Sequence, residues 1–224
     1  RDGSLRFSKE SGRWGNFPSV LIGYRPTEQE WWPSRVEFID DFKLKASWGQ
    51  LGNDQVDAFQ YLTSYGFTTG YVLSESKTYT AGLLQTNVPN PNITWEVANI
   101  FNFGWEAILF NKKLLFETDL FYERRNNILV KRNLSVPRFT GMTLPDENFG
   151  IVDNRGVELL LDYRESIGNF KYGLSGNFAF TRNKIIEYDE PERPVPWQTR
   201  TGHPMNALLL YKNIGVFSDW SELN

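Results

Sequence analysis

Apolar side chains on every second residue leave a chain few options, because only a strand then sorts them onto one face. The clearest run spans 170–181. Phe170, Tyr172, Leu174, Phe178 and Phe180 share one face with Gly176, while Lys171, Gly173, Ser175, Asn177, Ala179 and Thr181 share the other. A helix of period 3.6 would mix the two sets. Over 101–109, Phe101, Phe103, Trp105, Ala107 and Leu109 oppose Asn102, Gly104, Glu106 and Ile108. Asn111-Lys112-Lys113 reads as a short turn, after which Leu114, Phe116, Thr118, Leu120 and Tyr122 oppose Leu115, Glu117, Asp119, Phe121 and Glu123. Over 156–164, Val157, Leu159, Leu161 and Tyr163 oppose Glu158, Leu160, Asp162 and Arg164, and Ser166-Ile167-Gly168-Asn169 turns that strand into the next. Further strands are predicted at 20–25, 42–50 and 207–211, with weaker patterns at 67–74 and 78–85. One short helical connector is predicted near Trp31 and Trp32, where Thr27 and Glu30 have capping-box spacing and Pro33 stops the turn.

The connections alternate in length. Those near 110–113 and 166–169 are short, whereas 51–92, 131–153 and 188–204 are long and rich in Asn, Pro, Gly and Asp. Tight turns at one end and long loops at the other are the pattern of an outer-membrane β-barrel, with the short turns periplasmic. The fold class expected is therefore all-β, an antiparallel up-and-down meander forming a curved sector of a large transmembrane barrel, roughly eight to ten strands. In that arrangement Glu158, Asp162, Lys171, Ser175 and Asn177 face the lumen, and Phe101, Trp105, Leu159, Tyr172, Leu174 and Phe178 face lipid. Trp31 and Trp32 fall at the short-turn end, where interfacial anchoring is the natural role. Gly52, Gly150 and Gly156 are expected where strands meet loops, with Asn154-Arg155-Gly156 restarting a strand. Alternation alone leaves open a soluble sandwich burying the same apolar faces.

Composition narrows the function classes. With 40% hydrophobic and 16% aromatic residues the chain has the means to fold, and 17 Phe, 10 Tyr and 8 Trp suit both strands and lipid headgroups. The net charge of −3 is scattered over 24 basic and 27 acidic residues, so no basic stripe argues for nucleic acid. With no cysteine there is neither a disulfide framework nor a thiolate metal site. No run of about eighteen apolar residues is long enough for a transmembrane helix, a test that barrel strands escape. The chain begins at Arg1-Asp2-Gly3 and stops at Ser221-Glu222-Leu223-Asn224, and reads as a piece of something longer.

No catalytic residues are expected. His203, the single histidine, lies between Gly202 and Pro204 and reads as a loop-shaping residue. No nucleophile elbow, zinc-protease motif or phosphate loop occurs. Asp40-Asp41 and the group Asp189, Glu190, Glu192 are not placed across a substrate as glycoside hydrolysis requires. No cofactor or metal site is expected, with loop calcium at 187–192 the one alternative. Asn92-Ile93-Thr94 and Asn133-Leu134-Ser135 match glycosylation acceptors by chance. The more promising feature is aromatic: Tyr61, Tyr65, Phe67 and Tyr71 in the first long loop and Trp197 in the third offer faces on which sugars or peptide side chains stack. Packing loops against one another is their competing role.

An ordered series of motifs resembles one family. It comprises Arg1-Asp2-Gly3-Ser4 with Arg6-Phe7, Arg13-Trp14-Gly15-Asn16-Phe17-Pro18-Ser19-Val20 and Gly23-Tyr24-Arg25. The run from Asp41 to Asn53 follows, in which Trp48 and Leu51 replace the commoner Tyr and Thr. Then come Thr94-Trp95-Glu96, Asn148-Phe149-Gly150, Asn154-Arg155-Gly156-Val157-Glu158, Asn177-Phe178, Thr181-Arg182-Asn183-Lys184-Ile185, Gly202-His203-Pro204 and Tyr211-Lys212-Asn213-Ile214-Gly215-Val216-Phe217. Together they resemble the C-terminal part of the barrel in SusC/RagA-like TonB-dependent outer-membrane transporters.

The resemblance implies a barrel of about 22 strands around an N-terminal plug, of which residues 1–224 supply a barrel sector with neither plug nor TonB box. It implies import of nutrients, oligosaccharides ahead of peptides, across the bacterial outer membrane. The partners implied are the TonB complex, a SusD-like surface lipoprotein and outer-membrane lipid. A soluble or surface glycan-binding module is the alternative, and a β-rich enzyme the third reading.

Overall fold

The computed structural model describes residues 1–10, 12–32, 36–72, 79–131, 144–213 and 215, and the statements below concern these. Ten strands form: β1 (Asp2–Gly3), β2 (Trp14–Gly15), β3 (Ser19–Tyr24), β4 (Ile39–Asn53), β5 (Tyr65–Val72), β6 (Tyr79–Gln85), β7 (Glu96–Leu109), β8 (Leu114–Lys131), β9 (Asp146–Ile167) and β10 (Phe170–Glu187). Six of them make one antiparallel sheet in the order β3-β4-β7-β8-β9-β10. Neighbours in the sheet follow one another along the chain, apart from the separate β5–β6 ribbon between β4 and β7. That is the up-and-down meander expected from alternation, with β1–β2 as a second small ribbon.

Residues opposite one another in register share a face. On one face the rows read Ala46–Phe103–Leu120–Val157–Phe180, Leu44–Trp105–Thr118–Leu159–Phe178 and Phe42–Ala107–Phe116–Leu161–Gly176. The opposite face reads Lys45–Gly104–Asp119–Glu158–Ala179, Lys43–Glu106–Glu117–Leu160–Asn177 and Asp41–Ile108–Leu115–Asp162–Ser175. A sandwich would bury the apolar rows beneath a second sheet. Here Leu174 is 71% and Phe178 56% exposed, and among the described residues no second sheet covers them.

The two ends of the sheet differ. Residues 25–38, 110–113 and 168–169 connect strands at one end. Phe110, Asn111 and Lys112 all have φ near +60°, a left-handed turn closed by the Lys113 N–H donating to the Leu109 carbonyl at 3.1 Å. It is tied to the start of β4 by the Lys112 N–H on the Asp40 carboxylate at 2.8 Å and to the neighbouring connector by the Phe110 N–H on the Phe38 carbonyl at 2.9 Å. Trp31 and Trp32 lie in that connector, and Trp32 stacks on Phe42. The sequence-predicted helix there reduces to a 3-10 turn, Pro26–Glu28. Thr27 does not cap a helix: its hydroxyl donates to Asp41 at 2.9 Å and accepts from the Phe42 N–H, fastening the connector to β4. Pro33 lies outside the described residues.

Several boundaries differ from the sequence reading. β8 runs to Lys131 and β9 starts at Asp146, inside the span 131–153 read as loop; of the remainder, 132–143, which holds the Asn133 acceptor motif, lies outside the described residues. β4 likewise runs to Asn53, and the long 51–92 connection contains β5 and β6, whose flanking residues 73–78 also lie outside. Consequently Gly156 sits inside β9, not at its start, and a Cβ there would meet the Phe121 ring at 2.6 Å. Gly150 is within the same strand. Residues 207–211 form no strand. Three successive leucines at 208–210 lack alternation, no neighbouring strand supplies a ladder, and Leu208 and Leu210 stand 80% and 76% exposed. Within the final motif, Ile214, Val216 and Phe217 lie outside the described residues.

Candidate functional site

The three polar rows carry six acids, Asp41, Glu106, Glu117, Asp119, Glu158 and Asp162, alongside Lys43 and Lys45. Lys45 reaches Asp119 across an intervening strand, 3.4 Å apart. Gly104, between them in register, makes this possible, since a Cβ there would collide with the Asp119 carboxylate and approach the Thr118 carbonyl to 2.8 Å. Glu158 and Asn177, both expected on this face, line a cleft of about 350 Å³ with Glu117 and Asp119. Ser175 and Asp162 pair one row below, where Asp162 accepts two hydrogen bonds from Arg164 at 2.9 Å. Lys171 shares the face but lies at the short-turn rim beside Ser166. Phe101, Trp105, Leu159, Tyr172, Leu174 and Phe178 all fall on the apolar face. Lys45, Asp119 and Glu117 were missed as site residues, although the same alternation carried across β4 and β8 identifies them.

At the long-loop end a small core forms from Phe7, Val56, Ile93 and Trp95, with Phe17, Tyr61, Val97 and Leu129 against it. Trp95 meets Phe7 and Phe17 at ring distances of 5.5 and 5.2 Å. The motif glycines Gly15 and Gly52 leave room for the Phe17 ring. Asn148, from another motif, clamps Thr94 through both its amide groups at 2.9 and 2.8 Å and also donates to the Asn127 carbonyl, at a bulge in β8. The motifs therefore encode how loops dock on the sheet.

The loop aromatics separate into two groups. Tyr61 is half-buried in the loop core. Tyr65, Phe67 and Tyr71 stand exposed on β5 at 64%, 84% and 78%. A register shift between Thr68 and Tyr71 puts Tyr71 on the opposite face of the ribbon from Tyr65 and Phe67, which share theirs with Leu83 and Tyr79. Trp197 is exposed in the 3-10 turn Pro196–Gln198, beside a cavity of about 430 Å³ also lined by Arg193 and Leu208.

The loop that carries Trp197 is closed by Glu190, whose carboxylate accepts from the Arg200 and Thr201 N–H groups at 2.8 and 2.9 Å. Burial pushes that carboxyl up, yet the hydrogen bonds from Thr201 and Arg200 together outweigh it and hold it below the ordinary Glu value. A lowered folded-state value means the clamp contributes fully above the unfolded value and is lost as pH falls through the lower one. As pH falls through that lowered value the protection factors of the Arg200 and Thr201 amides should therefore drop; Glu190→Gln should remove that acid step, as read by hydrogen exchange. Among the described residues no group of three or more His, Cys, Asp or Glu is arranged around a metal position. His203 holds the loop end on β10, its carbonyl accepting from the Ile185 N–H at 2.9 Å. Among the described residues no helix is long and apolar enough to cross a membrane, which says nothing of strands.

The family model described as TonB dependent receptor-like, beta-barrel, matches residues 2–220. TonB-dependent receptor P39 of Formosa agariphila is 28% identical over 97% of this chain, and TonB-dependent receptor SusC of Bacteroides thetaiotaomicron 27% identical over 83%. The chain spans 20% and 18% of the lengths of those two relatives. Among solved structures, the RagAB peptide transporter aligns with a TM-score of 0.70 at 26% identity, covering 83% of this chain and 20% of that one. The RagAB peptide importer in its closed-closed state aligns at 0.74 with 24% identity over 90% of this chain and 22% of that one, a likeness of fold. Relatives of this kind are receptors and transporters, and the ordered motifs, the meander and the sorted faces agree with them. The chain belongs to the TonB-dependent receptor β-barrel family, in its SusC/RagA-like branch.

Proposed function

We propose that this chain is a wall sector of an outer-membrane importer of oligomeric nutrients, its apolar face against lipid and its polar face lining the lumen. The observation that carries the reading is the spacing of charges along β9. From Glu165 to Arg155, same-face residues between the two charges are Tyr163, Leu161, Leu159 and Val157. Ten steps at about 3.3 Å make about 33 Å along the strand. A tilt of about 40° reduces that to about 25 Å, the height of a barrel's apolar band. Short turns and Trp31, Trp32 then lie at the periplasmic border, the long loops outside.

In this reading Glu158, Asp162, Ser175, Asn177 and, at the rim, Lys171 face the lumen. Oligosaccharides are the cargo, captured under a SusD-like lipoprotein and drawn through with energy from the TonB complex. The exposed rings of Tyr65, Phe67, Tyr71 and Trp197 support a sugar-stacking role, and the relation to SusC supports the assembly. Peptides are the second cargo class, favoured by the likeness to the RagAB peptide transporter. In the full-length transporter, Tyr65→Ala with Phe67→Ala should lower uptake of labelled oligosaccharide on the order of tenfold. Tyr61→Ala should instead loosen the loop core. Unchanged sugar uptake alongside reduced peptide uptake would reverse the cargo assignment.

A further inference from the structure

The apolar face ends in one row across five strands: Trp48–Phe101–Tyr122–Arg155–Arg182. The next row toward the loops is Gln50–Asn99–Arg124–Asp153–Lys184. The cations are concentrated at the β8–β10 side of that border. Arg155 and Arg182 stand directly opposite one another, a like-charge pairing that is unfavourable without an anion between them. All three of Arg155, Arg182 and Lys184 are exposed, and among the described residues none has an ion-pair partner. The one carboxylate in the group, Asp153, is already engaged: it accepts from the Tyr122 hydroxyl at 3.0 Å and lies 3.5 Å from Arg124 Nε.

A wall closes the patch. The Gly202 N–H donates to the Ile185 carbonyl at 2.8 Å and the Ile185 N–H to the His203 carbonyl at 2.9 Å, so that residues 202–204 fold against the end of β10. Between this wall and the two charged rows lies a cavity of about 520 Å³, lined by Tyr122, Asp153, Arg155, Arg182, Lys184 and His203 among others.

We propose that this cavity binds the phosphate groups of a phosphorylated lipid of the outer leaflet. The proposal rests on the reading of the apolar face as lipid-facing. Two guanidinium forks and an ammonium match the oxygens of phosphomonoesters, which Arg binds through paired N–H groups. Free phosphate has the same chemistry, but position favours the lipid: Leu120, Val157 and Phe180 make the row immediately below, where acyl chains attached to such a headgroup would lie. Cargo in the lumen is on the other side of the sheet. The site would anchor the barrel in its leaflet at a fixed height.

The test uses the full-length transporter in mild detergent, with native mass spectrometry reading bound ligand. Three probes are compared: diphosphorylated lipid A, the same lipid without phosphates, and inorganic phosphate. The wild type should select the diphosphorylated lipid, with occupancy falling as salt rises. Each of Arg155→Gln, Arg182→Gln and Lys184→Gln should weaken that binding about fivefold, and the triple variant on the order of a hundredfold. Undiminished binding in the triple variant, equal binding of the dephosphorylated lipid, or equal occupancy by inorganic phosphate would overturn the proposal. Photo-crosslinking from position 159 to acyl chains tests the face independently. Its failure overturns both readings, whereas crosslinking that persists without phosphate selectivity overturns the headgroup site alone.

Discussion

Leu159→Arg is expected to abolish assembly of the full-length transporter into the outer membrane, while Leu160→Arg, one residue along, leaves it intact. The two leucines have the same chemistry and opposite directions. Leu159 belongs to the row Leu44–Trp105–Thr118–Leu159–Phe178, near the middle of the interval between Arg155 and Glu165. A guanidinium there, with hydrocarbon around it, costs about 2–4 kcal/mol, a large fraction of a protein's net stability. Leu160 pairs with Glu117 in the row that also contains Lys43 and Glu106. Arginine at that position would meet an opposed carboxylate and water, a neutral or favourable exchange. Heat-modifiable mobility and membrane fractionation read the folded fraction directly. Equal tolerance of both substitutions, or a reversed order, would mean that the faces are assigned the wrong way round.

That contrast also marks how far the sequence could be read. Period two sorted residues 101–109, 114–123, 156–164 and 170–181 onto the faces they occupy, because the ladders run without a break there. It failed where the ladder is interrupted. Register shifts between Arg125 and Leu129, with Asn127 at φ 58°, break the alternation of β8, so the strand could not be followed past Glu123, and its end at Lys131 and the start of β9 read as loop. Asn154-Arg155-Gly156 read as a strand opening because three polar or small residues in sequence resemble turn chemistry. In a barrel they are ordinary, since the ladder continues past the apolar band into the loop region. The motifs were legible as a family signature but not as contacts. Nothing in the spacing of Thr94 and Asn148 announces a clamp between residues 54 positions apart. The aromatic loop residues were legible as a class only, and the bulge that parts Tyr71 from Tyr65 and Phe67 has no sequence mark that alternation detects.

The second large effect is expected at Trp95, on which the long-loop end depends. Trp95 is 8% exposed, between Phe7 and Phe17 and against Val56 and Ile93, so it joins the N-terminal segment, the stretch after β4 and the entry to β7. The base of the β5–β6 ribbon is tied into the same region by the Asn90 N–H on the Gln60 carbonyl and the Thr86 N–H on the Ser64 carbonyl, both at 2.9 Å. Removing the indole leaves a cavity that a sheet held in register cannot close, and Trp95→Ala should cost about 3–5 kcal/mol. Trp95→Phe should cost much less. The indole Nε1–H is buried without a hydrogen-bond partner among the described residues, so its loss removes an unfavourable term while most of the ring contact remains. Hydrogen exchange on the full-length transporter should show residues 1–10 and 54–62 opening together in the alanine variant, with 101–109 and 156–164 unchanged. On the proposed function uptake should fall with them, since the exposed rings of Tyr65 and Phe67 are held only as firmly as the ribbon's base. Protection of residues 1–10 that survives Trp95→Ala would show that the loop region is held by its backbone hydrogen bonds and not by this aromatic core.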